Sequence, residues 1–426
     1  MGKGFQIFLV CLLAFCVVIG AVCIIVPLVR GGSDSAASQP VTDTTDSSDD
    51  TGDTATTPST DGSSGTGDGS DETVSAQPTQ WELQAQSKLE TMSLEEKVYQ
   101  LFVVTPEALT GVDTATVAGD ATRTALETQP VGGIIYFAKN LQDQQQAMDL
   151  LSGTQSYASI PLLLGVDEEG GTVSRVGSNS ALGVRHLPDA ADYDDAQTVY
   201  EDGKYLGGAL MELGFNLDFA PVADVVTNPN NTEIGSRSYS SDPETAAQMV
   251  GSMVSGLKDA GILCSLKHFP GHGGTETDTH DGRSVTERTL EEMRQAEFLP
   301  FQAGIDAGAP MVMVGHLSAP AITGNETPSD LSRAVVTDVL RQELGFSGVV
   351  ITDAQNMGAI TDYYTSAEAA VRAISAGVDL VLMPENLSEA AEGVLDAVED
   401  GTLTEARINE SVTRILAMKY EYGILA

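Results

Sequence analysis

From residue 82 onward, short apolar runs alternate with longer segments whose apolar positions recur at helical spacing. The runs at 100–104, 132–137, 162–166, 216–220, 262–266, 310–314, 348–352 and 378–383 predict eight buried strands. The clearest helical patterns lie at 244–258, 287–307 and 329–344, the last with Ser329 as its N-cap and Gly345 as its stop. Strands that alternate with helices pair in parallel, so the pattern predicts an α/β fold, a single (β/α)8 TIM-type barrel over residues 81–426. A doubly wound open sheet would show similar local patterns. Ahead of the barrel, residues 5–28 form an almost unbroken apolar run, long enough at about 1.5 Å per residue to cross a ~30 Å hydrocarbon core. It exceeds the apolar core of about 7–15 residues found in a cleaved signal peptide, so residues 1–30 are expected to be an uncleaved transmembrane signal anchor.

Composition changes the picture between the anchor and the barrel. Residues 31–80 are rich in Ser, Thr, Asp and Gly and contain no Lys or Arg. Such a segment buries too little apolar surface to offset its chain entropy, and it is expected to be a disordered acidic linker. As a coil it would reach on the order of 40 Å, enough to hold a domain off a membrane surface. The expected location is therefore the cell membrane, through a single-pass N-terminal anchor with the barrel outside the cell, or secreted if the anchor is cut. A formal net charge of −40 excludes nucleic-acid partners, which require basic patches. Of the four cysteines, Cys11, Cys16 and Cys23 fall in the anchor and Cys264 in a core strand, which leaves no disulfide within the domain. A monomer is expected.

Acidic, basic and imidazole side chains mark the ends of the apolar runs: Asp167, Lys267 with His268, His316, Asp353 and Glu385 each come shortly after a different one, and Asp218 falls within the run at 216–220. In a barrel such positions converge on the mouth where chemistry is carried out. The densest cluster is KHFPGHGGTETDTH, from Lys267 to His280. Asp278 and His280 are one residue apart, so in an extended segment both point the same way and the carboxylate orients the imidazole as an acid/base. A pair making only structural hydrogen bonds is the alternative. Asp353, at the end of the 348–352 run, is placed either to attack an electrophilic carbon or to cap a helix. Asp167, Arg175, Arg237 and Lys267 look like a hydroxyl-binding set, with a surface ion pair the alternative for each arginine singly, while Glu168 and Glu169 receive no role. A metal site built from His268, His272, His280 and Asp278 is the rival; Pro270 and Gly271 deny the first two histidines a shared helical turn, and no metal or other cofactor is expected. No phosphate-binding or dinucleotide loop is present.

These motifs resemble those of bacterial β-N-acetylhexosaminidases of glycoside hydrolase family 3. KHFPGHG followed by Asp278-Thr-His280 carries the resemblance, with Asp-Glu-Glu-Gly-Gly from Asp167, Gly-Ser-Arg-Ser-Tyr from Gly235 and Ile-Thr-Asp353 in the same order. The resemblance implies that Asp353 is the nucleophile, that His280 supported by Asp278 is the acid/base, and that Asp167, Arg175, Arg237, Lys267 and His268 bind a terminal N-acetylglucosamine. It implies retaining exo-hydrolysis of β-linked N-acetylglucosamine from peptidoglycan fragments or related glycans. The family's β-glucosidases usually take their acid/base from a domain after the barrel; this sequence stops at Ala426 just past the last barrel helix, so the histidine-loop branch is expected. Alternatives are a β-glucosidase, a phosphorylase, a metal-dependent hydrolase, or an anchored glycan-binding module without catalysis.

Overall fold

The computed structural model describes residues 77–275 and 282–426. The expected anchor, nearly all of the expected linker, and both Asp278 and His280 lie outside them. Among the described residues no helix is long and apolar enough to cross a membrane.

The eight predicted strands all form: β1 Phe102–Val104, β2 Gly133–Tyr136, β3 Leu163–Val166, β4 Leu217–Asp218, β5 Leu263–Phe269, β6 Met311–Val314, β7 Val349–Thr352 and β8 Val381–Leu382. They pair in parallel in the order β8-β1-β2-β3-β4-β5-β6-β7. The remaining seam is bridged where Thr352 N–H donates to the Leu380 carbonyl and Leu380 N–H to that of Val350, each at 3.0 Å. The result is a nearly closed barrel, not an open sheet. Buried Asp379 reinforces this seam by accepting from Val350 N–H at 3.0 Å and from the guanidinium of Arg341 at 2.6 Å.

Local sequence explains the surrounding helices. Asp195 caps Ala196–Leu213 and Asp242 caps Pro243–Ala260, each through a side-chain oxygen that accepts an N–H of the first turn. Both helices end on glycines with positive φ, Gly214 and Gly261. Ser93 with Glu96, Thr289 with Glu292 and Thr365 with Glu368 form reciprocal capping boxes.

Three expectations are corrected. The helix expected over 287–307 is two, Leu290–Gln295 and Phe298–Asp306. Pro300 has no N–H to give the Ala296 carbonyl, so it fits the first turn of a new helix and not the interior of a longer one. Ser329 does not cap the following helix. It lies in a short turn, Ser329–Leu331, with its hydroxyl donated to the Leu317 carbonyl at 2.6 Å, and a wide-turned helix starts at Ala334. Strand β5 continues past Leu266, so Lys267 and His268 belong to the strand and not to its loop.

Candidate active site

At the C-terminal ends of the strands lies a cavity of about 520 Å³, within the range of about 300–1,000 Å³ common for small-ligand clefts. Asp167, Arg175, Arg237, Lys267, His268 and Asp353 all line it. Of the other strand-end residues, Asp218 and His316 are buried behind its wall, whereas Glu385 is exposed and does not reach it. Strand β8 ends at Leu382, and Met383 after it has a positive φ of 46°.

Lys267 is the hub of the charged wall. Its ammonium group lies 2.8 Å from Asp167 Oδ1 and 2.6 Å from Glu169 Oε1. Burial alone would strip its proton, but Asp167 and Glu169 outweigh burial and raise its pKa, so Lys267 stays charged. Glu169 also receives Arg237 through Nε at 2.8 Å and a terminal nitrogen at 2.9 Å. Burial pushes the Glu169 carboxyl up; Lys267 and Arg237 overcome it and bring its pKa down to about 2. Asp167 keeps its second oxygen without a protein partner among the described residues, available to accept from a hydroxyl.

Sequence reasoning left Glu168 and Glu169 without roles, and the structure separates them. After β3 the chain forms a hairpin, Glu168–Gly170 with Val173–Ser174. Extended backbone alternates its side chains, so Asp167 and Glu169 face the cavity while Glu168 faces the hairpin's base. There Glu168 accepts the N–H groups of Val176 and Gly177 at 2.6 and 3.1 Å and the hydroxyl of Ser174, so its bonds fall on both sides of Arg175 and fix the backbone that carries it. Gly171, at the turn with φ 50°, is needed for two reasons: its conformation is left-handed, and any Cβ would collide with Asp189. Arg175 lies over the Phe137 ring, its centre 5.8 Å from the centroid, and has no carboxylate partner among the described residues. Its Nε is buried without a hydrogen-bond partner.

Asp224 is a site residue that the sequence did not reveal. It is isolated in an apolar stretch after β4, and only the fold brings it beneath the KHFPGHG segment. One oxygen accepts from His268 Nδ1 at 2.7 Å, and the other accepts the His272 N–H at 2.6 Å. Burial would raise the Asp224 carboxyl, but His268 and His272 more than offset it and hold it below the ordinary aspartate value. A carboxylate only accepts here, so His268 carries its proton on Nδ1, leaving Nε2 without a partner among the described residues. Gly273 lets this segment lie against the loop after β4, since a Cβ there would strike the Val225 carbonyl.

Asp353 lines the same cavity. Its N–H donates to the Val314 carbonyl at 2.9 Å, and its Oδ1 accepts the Ala354 N–H at 2.7 Å. Burial works against its charge; His268, His316, the Ala354 N–H and Lys267 prevail and depress its pKa, so Asp353 is ionised at neutral pH. Cys264 is buried and its thiol is pushed up to about 12 by desolvation, which makes it an inert part of the core. Among the described residues no group of three or more His, Cys, Asp or Glu side chains is arranged to hold a metal ion.

Residues 93–418 match the family model described as glycosyl hydrolase family 3 N terminal domain. β-Hexosaminidase A of Pseudoalteromonas piscicida is 33% identical over 317 residues, which cover 68% of this chain and 53% of that protein. A β-hexosaminidase of Stenotrophomonas maltophilia is 35% identical over 319 residues, 68% of this chain and 92% of its own length. Among solved structures, a family 3 β-N-acetylglucosaminidase from Paenibacillus superposes with a TM-score of 0.74 at 37% identity, covering 78% of this chain and 63% of that one. The chain thus spans about half of the Pseudoalteromonas relative and under two thirds of the Paenibacillus one.

Proposed function

The chain belongs to glycosyl hydrolase family 3, and from that premise we propose that it is a retaining exo-β-N-acetylhexosaminidase that removes terminal β-linked N-acetylglucosamine. The observation that carries this reading is an ionised carboxylate, Asp353, that shares one cavity of sugar-binding size with a set of hydroxyl-binding side chains. Relatives named as β-hexosaminidases support the sugar. Asp167 accepts from ring hydroxyls, Lys267, Arg175 and Arg237 donate to sugar oxygens, and His268 presents Nε2.

In the first displacement an Asp353 oxygen bonds to the anomeric carbon as the glycosidic bond breaks, and His280 gives its proton to the departing oxygen. His280 then takes a proton from water, whose oxygen attacks the same carbon and releases Asp353. Asp278 orients His280 and stabilises its charged form. The role of the acid is to assist departure, so His280→Ala is expected to slow poor leaving groups by about 10²–10⁴-fold and activated aryl groups far less. Equal losses on both would remove His280 from that role.

The natural substrates proposed are peptidoglycan fragments or related glycans met outside the cell, with the barrel held there by the apolar run at 5–28 and the acidic segment at 31–80. Protease added to intact cells should then release the barrel, and a barrel protected until lysis would refute that location. The activity is tested by comparing aryl β-N-acetylglucosaminide with aryl β-glucoside, with and without chelator. Chelator-resistant preference for the acetamido sugar is expected; turnover of neither, or loss with chelator, would overturn the proposal.

A further inference from the structure

His316 and Asp330 do not line the cavity, yet both are buried directly behind Asp353, at 1% and 0% exposure. His316 follows β6, and Asp330 sits in the turn Ser329–Leu331. The ring's Nε2 lies 2.9 Å from the carbonyl oxygen of Ala354, the residue after Asp353, and its Nδ1 lies 3.2 Å from Asp330 Oδ1. The second contact is an ion pair and not an aligned hydrogen bond. A carbonyl only accepts, so Nε2 carries a hydrogen. The Asp330 carboxyl beside Nδ1 favours a second hydrogen there, so both contacts of the ring favour the imidazolium.

The same aspartate reaches the next residue of the turn. Its Oδ2 accepts from Gln355 Nε2 at 3.4 Å, while Gln355 N–H donates to the Leu382 carbonyl at 2.9 Å. Residues 353, 354 and 355 are thus each tied to a different neighbouring strand or loop. Asp353 is faced by Lys267 and His268 from β5, by His272 from the following loop, by His316 after β6 and by the N–H of Ala354. His316 is faced by Asp330, Asp353 and the Ala354 carbonyl. Of the groups around Asp353, Lys267 and His268 line the cavity; His316 stands behind the carboxylate, where a sugar does not reach.

We propose that His316 and Asp330 form a positioning pair for Asp353, in which the imidazole clamps the turn that carries the nucleophile and places a positive charge behind it. The role in catalysis rests on the hydrolase reading; the protonation state does not. Burial alone would neutralise the ring, but Asp330 outweighs it, with Asp353 adding to the effect, and the pKa rises to about 9. The ring therefore stays charged across neutral pH. The cation favours the ionised form of Asp353, so its removal raises the carboxyl's pKa and moves the acid limb of activity to higher pH.

The test is nitrogen NMR of the full-length chain labelled in its histidines, together with kinetics of His316→Gln, which retains an N–H for the Ala354 carbonyl but no charge. One imidazole, missing in that variant, is expected to keep both protons at about pH 7.5. Asp330→Asn should make the same ring lose one of them. With an aryl β-N-acetylglucosaminide, His316→Gln should lower kcat about 10–100-fold with KM changed less than about threefold. The acid limb of kcat/KM should rise by about 0.5–1 unit. A bare nitrogen on that ring at pH 7.5, both protons retained in Asp330→Asn, or an unmoved acid limb in His316→Gln would overturn the proposal. The NMR readout needs no turnover, so an inactive parent chain with the doubly protonated ring would strike the hydrolase reading and spare the ion pair.

Discussion

Asp353→Asn is expected to reduce turnover by about 10⁴-fold or more on any glycoside the unaltered chain cleaves, with little change in substrate binding. The amide is nearly isosteric and retains an oxygen for the Ala354 N–H, so the turn should persist; what disappears is the negative charge that forms the bond to carbon. The surroundings magnify the loss. Lys267, His268 and His316 are arranged to keep this one carboxyl ionised against its burial, and an uncharged side chain draws no benefit from them. Single-turnover and steady-state rates of purified variant and parent measure the effect. A variant with a tenth or more of the parent's kcat would exclude Asp353 as nucleophile.

Lys267→Met is expected to damage stability as well as activity. Lys267 is 2% exposed and neutralises Asp167 and Glu169 together. Methionine fills similar space but leaves Asp167 without a cation among the described residues and Glu169 with Arg237 alone. Breaking a buried ion pair from one side costs about 3–5 kcal/mol, which for a domain of this size corresponds to a fall in Tm on the order of 5–10 °C. The loss should depend on pH in a definite direction. Glu169 has its carboxyl depressed to about 2 from an ordinary 4.5, so its stabilisation is complete above the ordinary value and is lost as pH falls toward about 2. In Lys267→Met much of that depression disappears, so parent and variant should converge on acidification. Thermal unfolding of both at about pH 7 and pH 3 checks this; a gap that widens at low pH would contradict the assigned pairing.

The barrel was legible because its strands are buried on both faces and so read as plain apolar runs between helical patterns. The end of each run pointed to the mouth, which is how Asp167 and Asp353 were found from position alone. Position misled at Glu385, because β8 is only two residues long and Glu385 lies three residues past its end, beyond the positive φ of Met383. Lys267 and His268 read as loop residues because charge inside a core strand is costly; the compensation comes from Asp167, Glu169 and Asp224, which are far away in sequence. For the same reason Asp224 gave no signal of its own. The choice between Glu168 and Glu169 required the register of a hairpin, which the Asp-Glu-Glu-Gly-Gly motif leaves open. Helix ends failed where a better local partner existed, as for the Ser329 hydroxyl on Leu317.

The most direct test of the central claim is mass spectrometry of the chain after exposure to an activated 2-fluoro glycoside, whose electron-withdrawing fluorine slows release of a glycosyl-enzyme ester. The account predicts a covalent sugar on the peptide that contains Asp353, formed in step with loss of activity and absent in Asp353→Asn. A chain that hydrolyses aryl β-N-acetylglucosaminide yet carries the label on another residue, or on none, would contradict Asp353 as the nucleophile of a retaining hydrolase.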